Sequence, residues 1–175
     1  VAVYQRSTRV RAPLEDVWAF HSRIEGLLAL TPSWVHLRVD AIEGADAPDD
    51  GGCQGVDLPE GTTIRLSVRP FGVGPRQQTA SRIEYRHRGD GAAVFRDRMV
   101  EGPLERWLHT HAFYADGGGT VVRDRVEYEL PGGSAGRLAA RLGPVGLAPL
   151  FRYRHRRTRE LLEGTHAGAA DSLEE

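Results

Sequence analysis

Two histidines and two aspartates carry the chemistry of this sequence. His109 and His111 stand one residue apart, and Asp97 and Asp124 lie in the runs on either side. The three runs, 95–99, 107–113 and 122–128, alternate with period two, so residues of one parity share a strand face. Phe95, Asp97 and Met99 fall on one such face. Trp107, His109, His111 and Phe113 share the next, and Val122, Asp124, Val126 and Tyr128 the third. The opposite faces carry Arg96, Arg98, Arg106, Arg123, Arg125 and Glu127, which suit water. Turns at Gly102-Pro103 and Gly117-Gly118 join the runs into an antiparallel meander. Its simple registers put Asp97 and Asp124 on either side of His109.

An imidazole flanked by carboxylates is a competent general base. His109 with Asp124 is the candidate base, and Tyr128 or Arg154 a candidate to polarise a carbonyl. The same histidines could instead donate hydrogen bonds to a ligand carbonyl or phenol. They could also form a satisfied buried network that orients strands, since buried polar groups must pair. His-x-His with a carboxylate is part of a metal-ligand set as well. Only two histidines and one or two carboxylates converge, so the sequence predicts no tightly held zinc and no cofactor.

The elements that must hold these groups follow the same logic. Val1 to Arg11 alternates as a strand. Pro13 suits a first helical position, and Glu15 and Asp16 favour the positive end of the helix dipole. Leu14, Val17, Trp18 and His21 share a helical face. A second short helix covers Ile24 to Leu30 and stops at Thr31-Pro32. Trp34 to Ile42, Thr62 to Pro70 and Gln77 to Arg86 read as strands, the last with Thr79, Ser81, Ile83 and Tyr85 inward. Gly44 to Gly61 has no period and reads as a long loop. At the C-terminal end Leu147, Leu150, Phe151, Thr158, Leu161 and Leu162 form a helical stripe, while Leu138, Leu142 and Val145 point the other way. A break at Gly143-Pro144 resolves that conflict. Arg154 falls at the centre of the downstream stripe and needs a partner, either Asp97 or Asp124 or an acidic group on a ligand.

Seven antiparallel strands, two short helices after the first and a long C-terminal helix make an α+β chain whose curved sheet and closing helix enclose a cavity. Its 175 residues fit one domain at 1–163, with 164–175 as a flexible tail. Net charge is −1, with every basic residue an arginine, so no basic field marks a nucleic-acid partner. The cluster from Arg152 to Arg159 is a solvated helix face. No lysine is present to form a Schiff base, and Cys53 is the single cysteine, which points to a reducing, cytoplasmic setting. Cys53 has no histidine near it in sequence to make it a nucleophile. No apolar run of about 18 residues or secretory leader occurs, so no membrane span is expected. A monomer or homodimer fits equally.

Several phrases resemble the START/SRPBCC superfamily with its helix-grip fold, and within it the bacterial ligand-binding group related to polyketide cyclase/dehydrase. They are Val17-Trp18-Ala19-Phe20-His21, Leu30-Thr31-Pro32-Ser33-Trp34, Gly61-Thr62-Thr63-Ile64, Glu101 through Phe113, Asp124-Arg125-Val126-Glu127-Tyr128 and Phe151-Arg152-Tyr153-Arg154-His155. The turn Gly102-Pro103 followed by Trp107-x-His109-x-His111-x-Phe113 is the most specific. One departure is Arg76-Gln77-Gln78, where similar chains carry Arg-Trp, which implies a more polar cavity wall there. The resemblance implies an internal cavity for a hydrophobic molecule, polyketide-, aromatic- or lipid-like. Its expected contacts are Asp97, Met99, Trp107, His109, His111, Phe113, Val122, Asp124, Tyr128 and Arg154. The alternative is a cyclase/dehydratase with His109 and Asp124 as base. The superfamily does not imply one reaction.

Overall fold

The computed structural model describes residues 1–44 and 58–171, with side chains through 164. Cys53 and most of the long loop predicted at 44–61 lie outside the described residues. The elements are β1 (Ala2–Val10), α1 (Leu14–His21), α2 (Ile24–Ala29), β2 (Arg38–Glu43), β3 (Thr63–Val68), β4 (Gln77–Arg88), β5 (Ala92–Glu101), β6 (Arg106–Asp116), β7 (Gly119–Glu129), α3 (Gly133–Ala140) and α4 (Gly143–Asp171). The strands form one antiparallel sheet in the order β1-β7-β6-β5-β4-β3-β2. From β2 to β7 each strand pairs with the next in the chain, and β1 pairs with β7. β5, β6 and β7 are the meander that the alternation predicts, and they occupy the sheet's interior.

Three apolar clusters fix the helices on the sheet. Val17 and Trp18 of α1 pack with Val10, Phe113 and Val122. Phe151 of α4 packs with Tyr4, Val126 and Tyr128. Ile24 of α2 packs with Leu58, Ile64 and Ile83. The α1–α2 corner depends on Gly26, where any Cβ would run into the Phe20 carbonyl. Gly143 plays the same part at the start of α4, because the ring and hydroxyl of Tyr128 fill the space a side chain would need. The expected break at Gly143-Pro144 therefore separates α3 from α4, and the tight approach to Tyr128 is its physical reason. α4 continues through Asp171, into the stretch assigned to a flexible tail.

Three local expectations need correction. Trp34 is not in a strand. Ser33–Val35 is a 3-10 turn, and the Trp34 ring stacks on Phe71 at 5.1 Å. The β4 face switches after Ile83, since a bulge at Glu84 places Tyr85 opposite Arg96 and Arg86 opposite Phe95. Tyr85 thus turns to the arginine side of the sheet, and Arg86 turns in to lie 4.9 Å from the Trp18 ring. An inserted residue reverses the inward parity of everything beyond it, which alternation alone cannot register. Finally, Leu138, Leu142 and Val145 are not buried at all; they are 66%, 69% and 73% exposed.

Candidate functional site: a histidine–aspartate cluster on a cavity wall

The sheet register builds the cluster. Asp97 of β5 sits opposite His109 of β6, and His111 sits opposite Asp124 of β7. His109 Nε2 donates to Asp124 Oδ1 at 2.8 Å, and its Nδ1 lies 3.8 Å from Asp97 Oδ2. His111 Nε2 donates to the same Asp97 oxygen at 3.3 Å. Its Nδ1 is 3.0 Å from Asp124 Oδ1 but out of line for a hydrogen bond. Ser81 Oγ of β4 donates to Asp97 Oδ1 at 2.8 Å and holds that carboxylate in place.

A fifth member comes from α4. His155 Nε2 donates to Asp124 Oδ2 at 2.6 Å and is buried. The reading of the helical stripe missed it. Phe151, His155 and Thr158 are the buried positions among the described side chains of this helix, at 1%, 3% and 1% exposure. Spacings of four and three from Phe151 lead straight to His155, so the signal was present. Arg154 lies at the edge of the stripe rather than at its centre. Asp124 already accepts from histidines on both oxygens, and no carboxylate stands within ion-pair distance of Arg154 among the described residues. The expected ion pair with Asp97 or Asp124 is absent there, and the guanidinium instead lies 6.0 Å from the Phe151 ring.

Electrostatics divides the cluster unequally. Burial pushes Asp124 up, but the hydrogen bonds from His109 and His155 and the close His111 imidazole outweigh it and hold the carboxyl well below its usual range. Burial pulls His109 down, helped by the neighbouring His111, and the aspartates do not fully compensate. Burial also pulls His111 down, yet Asp124 and Asp97 together outweigh it and raise this imidazole. The pair thus consists of one neutral-leaning and one cation-leaning ring, with centroids 3.7 Å apart. Arg154 is lowered by burial and partly restored by the charges of Asp124 and Asp97. A guanidinium nonetheless stays charged.

These groups form one wall of a cavity of about 260 Å³. Six of the ten expected contacts line it: Asp97, Met99, Trp107, His109, His111 and Arg154. The rest of the wall is largely apolar and includes Leu30, Leu37, Leu58, Ile64, Leu66, Ile83, Phe95, Leu150 and Phe151. Sequence reasoning placed Ile83 on an inward face without assigning it to the site. Four expected contacts lie elsewhere. Phe113 and Val122 are buried behind the wall in the cluster with Trp18. Asp124 is covered by its three histidines. Tyr128 faces the α3–α4 corner, and its hydroxyl donates to the Ala140 carbonyl at 2.8 Å. That bond takes the proton which carbonyl polarisation would require. Gln77 and Gln78 are exposed, so the departure from the usual Arg-Trp pair does not add polarity to this cavity.

Asp97, His109 and His111 also offer three ligand atoms that all lie within 4.8 Å of one another. His21 of α1 lines the cavity as well, and its Nδ1 donates to the Val17 carbonyl at 2.8 Å. Burial lowers its pKa to about 3. The folded value is then below the unfolded one near 6.5, so between pH 6.5 and 3 the unfolded chain binds the extra proton. Stability from this residue is complete above pH 6.5 and falls as the pH drops, by about 1.4 kcal/mol per pH unit. Urea unfolding of the wild type and of His21→Gln is expected to show a shallower pH slope in the variant over pH 6.5–4. Parallel slopes would remove His21 as the cause.

The family profile described as polyketide cyclase / dehydrase and lipid transport matches residues 10–147. The chain belongs to this family. Solved structures agree on the fold. A Thermus thermophilus protein is 22% identical, with 90% of this chain and 97% of that one covered and a TM-score of 0.59. Norcoclaurine synthase of Thalictrum flavum is 18% identical, with 91% and 94% covered and a TM-score of 0.61. A START superfamily protein of Mycobacterium smegmatis is 14% identical, with 91% and 98% covered and a TM-score of 0.58. This member of the polyketide cyclase/dehydrase family thus has the START/SRPBCC helix-grip architecture. No curated protein matches it. None of its described helices is long and apolar enough to cross a membrane.

Proposed function

We propose that this family member binds a compact hydrophobic molecule with one polar end. The observation that carries the reading is the cavity itself, an apolar space that ends on Asp97, His109, His111 and Arg154. Apolar walls supply contact area, and a few convergent polar groups set orientation. Ligand pockets commonly run from about 300 to 1,000 Å³, so a space of about 260 Å³ favours a one- or two-ring molecule over a long acyl chain. Trp107 and Phe151 present aromatic surface to such a ring, and the polar end meets the histidines. Norcoclaurine synthase of Thalictrum flavum, which shares the fold at 17% identity, has been solved with dopamine and hydroxybenzaldehyde. Phenolic rings are therefore the first class to try.

Native mass spectrometry of freshly purified protein is expected to show a co-purified small molecule or, after its removal, stoichiometric binding of an apolar fluorescent probe. A protein that carries no adduct and binds no probe would overturn the proposal.

A second reading is favoured by one contact. His109 is held by ionised Asp124 at 2.8 Å and kept neutral by burial, as a general base must be. A bound poly-carbonyl chain could lose an alpha proton to this imidazole, form a carbon–carbon bond at a second carbonyl, and then release water. Arg154 is placed to polarise a carbonyl of such a chain, whereas Tyr128 is committed to Ala140. Incubation with a linear poly-β-ketone analogue is expected to give a product lighter by one water, with His109→Gln slower by about 100-fold or more. Equal rates in wild type and variant would dismiss this chemistry.

A further inference from the structure

We propose that Asp97, His109 and His111 hold a divalent transition-metal ion of the zinc type, with an open coordination position facing the cavity. The sequence reading counted too few ligands for this, and what changes the balance is how the three groups are aimed. Asp97 Oδ2 is the common point: His111 Nε2 stands 3.3 Å from it and His109 Nδ1 3.8 Å. Two ligands bound about 2.1 Å from a tetrahedral ion lie about 3.4 Å apart. These two separations are close to that spacing, and all three ligand atoms lie within 4.8 Å of one another. A charge-assisted hydrogen bond, by contrast, closes to about 2.7–2.9 Å, and the Asp97–His111 contact has not done so.

The surrounding groups support the assignment independently. Metal-bound histidines donate their second ring N–H to a carboxylate or carbonyl, which fixes the ring and strengthens the ligand. Asp124 occupies that position for His109 and stands beside the second ring nitrogen of His111. It accepts from His109 Nε2 at 2.8 Å and lies 3.0 Å from His111 Nδ1. His155 anchors Asp124 from α4, and Ser81 occupies the other oxygen of Asp97. His109 and Asp97 are therefore each held by a partner on the side away from the prospective ion.

Two histidines and one carboxylate leave at least one position for a further ligand. Arg154 lines the same cavity, so an oxygen anion there would balance the charge. Hydroxide fits, and so does the ionised oxygen of a bound phenol or enol. With the ion in place His109 could not act as a base. A metal-bound hydroxide would replace it in any proton transfer.

The test uses the full chain, stripped with chelator and titrated with Co²⁺ and Zn²⁺. One equivalent of Co²⁺ is expected to give intense visible bands of a four- or five-coordinate ion, displaced by Zn²⁺. Asp97→Asn and His111→Gln should abolish the bands, and Asp124→Asn should weaken binding by about 10–100-fold. His87→Gln, at an exposed histidine, should leave them unchanged. Pale octahedral spectra, or bands that survive Asp97→Asn, would overturn the site. X-ray absorption of the wild-type zinc form gives an answer even where variants fail to fold. Two imidazole ligands support the site, and one or none rejects it. Native mass spectra of the chelated protein report the organic ligand separately, so loss of one proposal does not carry the other with it.

Discussion

Asp124→Leu is expected to lower stability by about 3–5 kcal/mol, measured with chelator present. For a chain of this size that corresponds to a melting point lower by on the order of 10 °C. The carboxylate is 3% exposed and receives His109 at 2.8 Å and His155 at 2.6 Å, with His111 at 3.0 Å. Its removal strands three imidazoles in a space that water reaches poorly, and each loses its anionic neighbour. The cost is therefore that of unpaired buried polar groups rather than of one missing bond. His155→Leu alone should cost less, because Asp124 keeps the two β6 histidines. The double variant should recover part of the loss of Asp124→Leu, since one stranded imidazole is gone. Strict additivity in this cycle, or a loss below about 1 kcal/mol for Asp124→Leu, would mean that the carboxylate does not organise the cluster.

Phe113→Ala and Trp107→Ala are expected to separate stability from binding. Phe113 is fully buried and packs edge-on against Trp18 at 5.9 Å, with His21 at 5.0 Å and Phe95 at 6.0 Å. It does not reach the cavity. Its truncation should cost about 3–5 kcal/mol in unfolding free energy, while affinity for an apolar probe changes little in the protein that remains folded. Trp107 is half-buried, lines the cavity and lies 6.3 Å from His109. Its truncation should leave most of the stability intact and weaken probe binding by about tenfold or more, as loss of a buried aromatic anchor does. The two assays are a urea titration and a fluorescence titration on the same preparations. If Phe113→Ala weakens probe binding as much as Trp107→Ala does, the ligand occupies the space behind the wall, and the cavity assignment is wrong.

The sequence by itself determined the meander and the chemistry it carries. Strict alternation in 95–99, 107–113 and 122–128 put Asp97, His109, His111 and Asp124 on one face, because side-chain direction in a strand has a period of two and needs no tertiary information. Turn residues at 102–103 and 117–118 then set the register that brings these four together. The α1 face and the helix break at Gly143 were legible for similar local reasons. Only the tertiary structure decided the rest. The Glu84 bulge turned Tyr85 out and Arg86 in, because one inserted residue reverses parity beyond it. Phe113, Val122 and Tyr128 share a face with the cavity residues but sit under α1 or the α3–α4 corner. Alternation gives the face, and where a helix crosses it decides which part is filled and which stays open. His155 and Arg154 are adjacent on one helix. The packing of α4 on the sheet turned His155 onto Asp124 and left Arg154 at the cavity edge, because a helix turns about 100° per residue.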